Sequence, residues 1–187
     1  MRQEAEGALS YPVSVNRLAQ KGLTVKIEAD ERERRALRDF HALEDVKSFV
    51  AELQVLPWKK EGVRVKGTVS ADIVQQCIVT LEPVEARIET QVDSLFVPEN
   101  SRLARLPTDD AGELIIDAEG PDVPEPFSGD SLDIGAIAEE FFELEIDPYP
   151  RKPGVEEAPA VTLTVGDVEE ERAPNPFAGL KDWKQKT

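Results

Sequence analysis

Cys77 is the only thiol in the chain, and His41 is the only imidazole. Brought together they would make a nucleophile and its base, the minimum for thiol chemistry. Cys77, however, keeps step with Val79 and Leu81 in an alternating run, which places it on an apolar face as a small core hydrophobe. A thiol in such surroundings has a raised pKa and is inert. A zinc site usually needs four ligands, and no second cysteine accompanies Cys77. The remaining chemistry lies in carboxylates. Asp109, Asp110, Glu113, Asp117, Glu119 and Asp122 are close in sequence, but their spacing does not fit a D-x-D-x-D-G calcium loop with its distal Glu. Carboxylate pairs for general acid–base work are so abundant that they single out no residue. No phosphate loop, dinucleotide fingerprint or G-x-S-x-G motif is present. The expectation is a protein that is not an enzyme and takes no metal or cofactor. An enzyme using Cys77 is the catalytic alternative.

The charge distribution is more informative. From Leu106 to Pro150 there are fourteen carboxylates and no Lys, Arg or His. The whole chain has 38 acidic against 22 basic residues and a net charge of -16, so nearly all the imbalance sits in that one segment. Such a field repels a phosphate backbone and attracts basic partners. No basic stripe interleaved with aromatics offers a single-strand platform. The densest basic group is Arg32, Arg34, Arg35 and Arg38, with Arg34 and Arg38 on one helix face. It reads either as a solvated face paired with Glu31 and Glu33, or as an RNA-contacting ridge of Arg34, Arg35 and Arg38. A single cysteine favours a reducing compartment. There is no apolar run of about 18 residues, and the first residues lack the apolar core of a signal peptide. These features predict a cytoplasmic protein with no membrane partner.

The elements that position these residues follow from periodicity. Leu9 to Val15 and Leu23 to Ala29 look extended. Asp30 is placed to cap a helix running to about Phe40, with Leu37 and Phe40 on one side. Val46 to Leu56 alternates, and Pro57 is expected to stop it. From Val63 to Leu81 the period of two is clearest, with Val63, Val65, Val69, Ala71, Ile73, Cys77, Val79 and Leu81 sharing one parity. Gly67 marks a bend or bulge within it. Alternation resumes through Val84, Ala86, Ile88, Val92 and Phe96. A helix is expected from about Ser131 to Glu145, with Ile134, Ile137, Ala138, Phe141 and Leu144 as its apolar stripe and Glu139, Glu140 and Glu143 facing water.

The fold class is therefore α+β. An antiparallel β-meander with one buried face is packed by an N-terminal helix and by the helix near 131–145. One domain spans 1–154 and includes an acidic loop at about 98–130. An acidic, disordered linker occupies 155–174, where Val161, Leu163 and Val165 allow a further edge strand. A short amphipathic helix occupies 175–187, opened by Asn175 and Pro176. Its Phe177, Leu180 and Trp183 either dock on the chain's own domain or recruit a partner.

Three blocks in order resemble the YceD family of bacterial and plastid proteins. They are Gln76 to Pro83, then Asp133 to Glu140 leading into Asp147-Pro148-Tyr149-Pro150-Arg151-Lys152-Pro153-Gly154, then Asn175-Pro176-Phe177-Ala178. The resemblance runs from about Val63 to Leu180, and the Val-Thr-Leu-Glu-Pro and Asp-Pro-Tyr-Pro-Arg forms resemble its alphaproteobacterial branch. The family is named for accumulation of large-subunit ribosomal RNA, and it has no established enzymatic activity. Many of its members carry a second cysteine three positions after the first and another just after the proline-rich turn. Here those places hold Thr80 and, approximately, Val155, so the resemblance assigns no metal ligands in this chain.

What the resemblance and the charge together imply is a non-catalytic factor in ribosome biogenesis. It would support ribosomal RNA accumulation by binding a basic ribosomal or assembly protein and would touch RNA indirectly or weakly. Glu139, Glu140, Glu143, Tyr149, Arg151, Phe177, Leu180 and Trp183 are the candidate partner-binding residues. The alternative is a tethered adaptor for protein interaction, unrelated to ribosomes.

Overall fold

Long alternation over short turns gives each strand one face that must be covered, and two amphipathic helices cover it. The computed structural model describes residues 7–16, 18–104 and 123–155, and its compact body reaches Pro153. In chain order the strands and helices are β1 (Pro12–Ser14), β2 (Leu23–Glu28), α1 (Glu31–Phe40), β3 (Asp45–Trp58), β4 (Gly62–Gln76), β5 (Pro83–Pro98), β6 (Glu125–Phe127), β7 (Ser131–Asp133) and α2 (Ile134–Leu144). One five-stranded sheet has the order β2-β3-β4-β5-β6, and β1 pairs with β7 in a separate two-stranded sheet. The chain is thus α+β, with a mostly antiparallel sheet. Among the described strands only β5 and β6 run parallel, through Phe96 to Pro98.

The register aligns the apolar parities. Val25, Leu53, Gly67 and Val92 form one cross-strand row, and Ile27, Ala51, Val69 and Thr90 the next. Phe49, Ala51, Leu53, Val55, Val65, Val69, Ala71 and Ile73 are all buried on this face, together with Leu37 of α1 and Ile134, Ala138 and Phe142 of α2. Full burial of one such aliphatic or aromatic side chain is worth about 1.5–3 kcal/mol. Phe142 meets Phe49 edge to face at 5.5 Å, which seats α2 on the sheet.

Several expectations are corrected. Pro57 does not stop β3, which runs on to Trp58. The last β2 pairing is at Val55, so Pro57 lies where β3 has a neighbour on one side only. A residue without an N–H is tolerated there. Phe40 does not join Leu37 in the core; it is 57% exposed and packs edge-on against His41. Within the expected loop, Glu125–Phe127 forms β6. The α2 helix starts after Asp133 because Ser131–Asp133 pairs with β1. Its buried side is Ile134, Gly135, Ile137, Ala138, Glu139 and Phe142, while Phe141 is partly buried and Leu144 exposed. The buried arc is turned because α2 packs on two things at once, the sheet and the N-terminal segment. Gly135 permits the second contact, since a Cβ there would lie 2.8 Å from the Tyr11 amide nitrogen. The middle of the acidic loop, the acidic linker and the C-terminal helix lie outside the described residues.

Asp30 caps α1 as its sequence suggests. Its carboxylate accepts from the Glu33 amide at 2.8 Å, and Glu33 accepts from the Asp30 amide at 2.9 Å.

Gly67 has φ +154, and a Cβ at that position would lie 2.0 Å from the Glu52 carbonyl oxygen. The backbones of β3 and β4 close on each other there, and only glycine fits. Gly67→Ala is expected to lower stability by about 1–3 kcal/mol. Urea unfolding checks this; an unchanged midpoint would show that the strands move apart freely at this row.

Candidate functional site

Two places in the fold gather the residues singled out by sequence. The first is the β4–β5 turn, Cys77 to Glu82. β4 ends at Gln76, so the alternation that seemed to carry Cys77, Val79 and Leu81 onto one face stops before them. Cys77 itself is fully buried, but Ile78, Val79 and Leu81 are exposed, Leu81 at 66%. The turn closes through Cys77 N–H to the Glu82 carbonyl and Leu81 N–H to the Cys77 carbonyl, both at 2.9 Å. Leu81 takes φ +60 to do so.

Against this turn lies the proline-rich segment that follows α2. Gln75 Nε2 donates to the Asp147 carbonyl at 2.8 Å. The Ile78 amide donates to the Pro150 carbonyl at 3.0 Å. Lys152 Nζ reaches Glu82 at 2.7 Å, and the Lys152 amide points at Cys77 Sγ at 3.5 Å. Two of the blocks that carry the family resemblance therefore meet in space.

The thiol behaves otherwise than expected from an apolar setting. The Thr80 side chain, the Thr80 amide and the Lys152 amide pull its pKa down to about 6, against the opposing effect of burial. The expected rise fails because Cys77 sits in a turn that aims N–H groups at its sulfur, not on a strand among side chains. Among the described residues no interaction joins Cys77 to His41, whose ring is held by Glu139, Phe40 and Phe142.

The second place is built around Glu139, which was expected to face water and to meet a partner. It is 4% exposed. Its carboxylate accepts from the Ala8 amide at 2.9 Å, the Leu9 amide at 2.8 Å and His41 Nε2 at 3.1 Å. A group so buried offers no docking surface. The helical stripe alone could not reveal this, because the cover comes from residues 98 to 131 positions away. Burial pushes the Glu139 carboxyl up, but the His41 bond and the two amides outweigh it, and its pKa lies below the ordinary 4.5.

The rest of the candidate surface is solvent-facing. Glu140 and Glu143 are exposed, and neither has an ion-pair partner among the described residues. Burial and the charge of Glu140 raise the pKa of Glu125 on β6. Leu144 and Tyr149 are 73% and 69% exposed beside them in sequence. Arg151 is exposed and engaged. Of the four arginines of α1, the three named as RNA contacts are occupied: Arg34 on the Ala29 carbonyl at 2.9 Å, Arg35 on Glu31, and Arg38 on Asp39 at 2.6 Å. Phe177, Leu180 and Trp183 lie outside the described residues. Among the described residues no group of three or more His, Cys, Asp and Glu is placed to hold a metal ion. With a single cysteine and the only histidine committed to Glu139, the donor set does not fit a thiolate metal site.

The Glu139 cluster makes a sharp prediction. A group whose folded pKa is depressed contributes stability above its unfolded pKa and loses it as pH falls through the folded value. Glu139→Gln is expected to cost about 1–3 kcal/mol at neutral pH. The gap from the parent should narrow as acid takes the pH from 4.5 down through the folded pKa of Glu139. Unfolding curves for both proteins across that range read this directly. A gap that stayed constant would show that the charge of Glu139 is immaterial.

No curated protein matches the chain, and no solved structure matches it. A family profile described as "Large ribosomal RNA subunit accumulation protein YceD" matches residues 65–184, more than half of the 187-residue chain. That span contains the β4–β5 turn, α2 and the proline-rich segment whose contacts are described above, and the chain belongs to the YceD family.

Proposed function

We propose that this protein is a non-catalytic cytoplasmic factor that supports large-subunit ribosomal RNA accumulation by binding a basic ribosomal or assembly protein. The family's description supplies the ribosomal RNA role. No described helix is long and apolar enough to cross a membrane. One observation carries the choice of a basic protein over RNA as the direct partner. Glu140 and Glu143 project from α2 without an ion-pair partner among the described residues, in a stretch without Lys, Arg or His from Leu106 to Pro150. Leu144 and Tyr149 stand exposed close by in sequence, so the surface combines carboxylates with apolar anchors. This suits a basic partner that also carries apolar side chains. Arg34, Arg35 and Arg38 already have local partners, so a phosphate backbone would have to compete for them. RNA is then reached through the bound protein.

Rim carboxylates steer and select more than they add affinity, and salt screens them. Immobilised full-length protein should retain a basic ribosomal or assembly protein, identified by mass spectrometry, at low salt and release it as salt rises. Replacing Glu140 and Glu143 together by Lys should reduce retention about tenfold or more, the effect of juxtaposing like charges, with thermal stability unchanged. If no ribosomal or assembly protein is held even at low salt, the proposal fails.

A further inference from the structure

We propose that the β4–β5 turn and the proline-rich segment are fastened by a metal-independent lock, in which hydrogen bonds and one ion pair connect the parts that a thiolate metal site would connect. The evidence is the donor set together with what fills the place. The chain has one cysteine, Thr80 stands three positions after it, and Val155 follows the proline-rich turn. Neither replacement is a metal ligand of the thiolate type.

What fills the place is a set of direct links. Gln75 is only 7% exposed, and its amide group reaches across to the Asp147 carbonyl. The Ile78 amide bonds the Pro150 carbonyl. Lys152 binds at both ends, with its backbone N–H on Cys77 Sγ and its ammonium on Glu82. Inside the turn the Thr80 amide also points at the sulfur, at 3.5 Å. The sulfur is therefore supplied with two N–H donors and is fully buried. No buried side-chain nitrogen or oxygen among the described residues is left without a partner, so the network closes without a further ligand.

The links are not equal. Lys152 and Glu82 are about half exposed, with side chains at 48% and 54%, and such a pair contributes little by itself. Gln75 matters more, because its removal leaves the Asp147 carbonyl without its buried donor. The Ile78 amide is the natural reporter, since its bond exists only while the proline-rich segment is docked.

The experiment uses the full chain. Elemental analysis of the purified protein should find no stoichiometric zinc, and neither a chelator nor added zinc should move the melting temperature. Gln75→Leu should speed hydrogen exchange at the Ile78 amide about tenfold or more, as expected for weakening a lock by one part-buried hydrogen bond. Glu82→Gln should change it much less. Zinc near one atom per chain, or a melting temperature lowered by chelation, would overturn the metal-independent reading. Unchanged exchange at Ile78 in Gln75→Leu would overturn the lock.

Discussion

A single buried carboxylate holds three distant pieces of this chain together. Glu139 sits on the inner side of α2 and accepts from the Ala8 and Leu9 amides and from His41 at the end of α1. A buried carboxylate is tolerated only when its oxygens are fully engaged, since an unpaired charge in the interior is strongly penalised. The same N-terminal segment is held at two further points. The Tyr11 amide and the Ser10 hydroxyl donate to the Asp133 cap of α2, and the Tyr11 hydroxyl donates to Glu33 of α1 at 2.6 Å. Both helices are thereby fixed through one short strand of backbone, and their fixed positions close the core over the sheet.

That arrangement decides where the charge goes. The solvent face of the sheet largely neutralises itself across strands, through Lys26 with Glu52, Arg64 with Asp93, Arg87 with Asp72 and Lys47 with Glu85. Such exposed pairs add little stability, but they leave little net field on that face. The α1 helix pairs Arg35 with Glu31 and Arg38 with Asp39. On α2, Glu140 and Glu143 have no such partners among the described residues, and Glu139 is withdrawn into the interior. Pairing on the sheet and on α1 thus offsets part of the acidic charge there, whereas the exposed acids of α2 have no such offset among the described residues.

Much of the scaffold was legible in the sequence because its signals are local. Alternation identified β3, β4 and β5, and Asp30 announced the start of α1, whereas Gly67, expected as a bend or bulge, sits in unbroken register where two backbones close on each other. Three of the misreadings share one cause: each depended on a partner far along the chain. The burial of Glu139 is created by Ala8, Leu9 and His41, and the parallel strand β6 by Phe96 to Pro98. No periodicity within a helix or loop encodes those contacts. The expected stripe of α2 took Leu144 as core for the same reason, while Phe141 does pack against the core though only partly buried. A regular apolar spacing fits a helix that faces one surface, and α2 faces two.

Cys77 shows how far a parity argument can be trusted. Val79 and Leu81 have the right residue types and the right spacing to continue β4, yet the chain turns after Gln76 and exposes both. Parity holds only while the ladder continues, and the ladder ends where β5 must begin its return at Pro83. The thiol stays buried for a different reason: the segment after α2 comes back to cover it, through bonds from Gln75 and Ile78 to carbonyls more than seventy residues further on. The right burial was therefore inferred from the wrong neighbours, and the chemistry followed the neighbours. Amide donors at the sulfur favour its charged form, whereas hydrocarbon would have favoured the thiol.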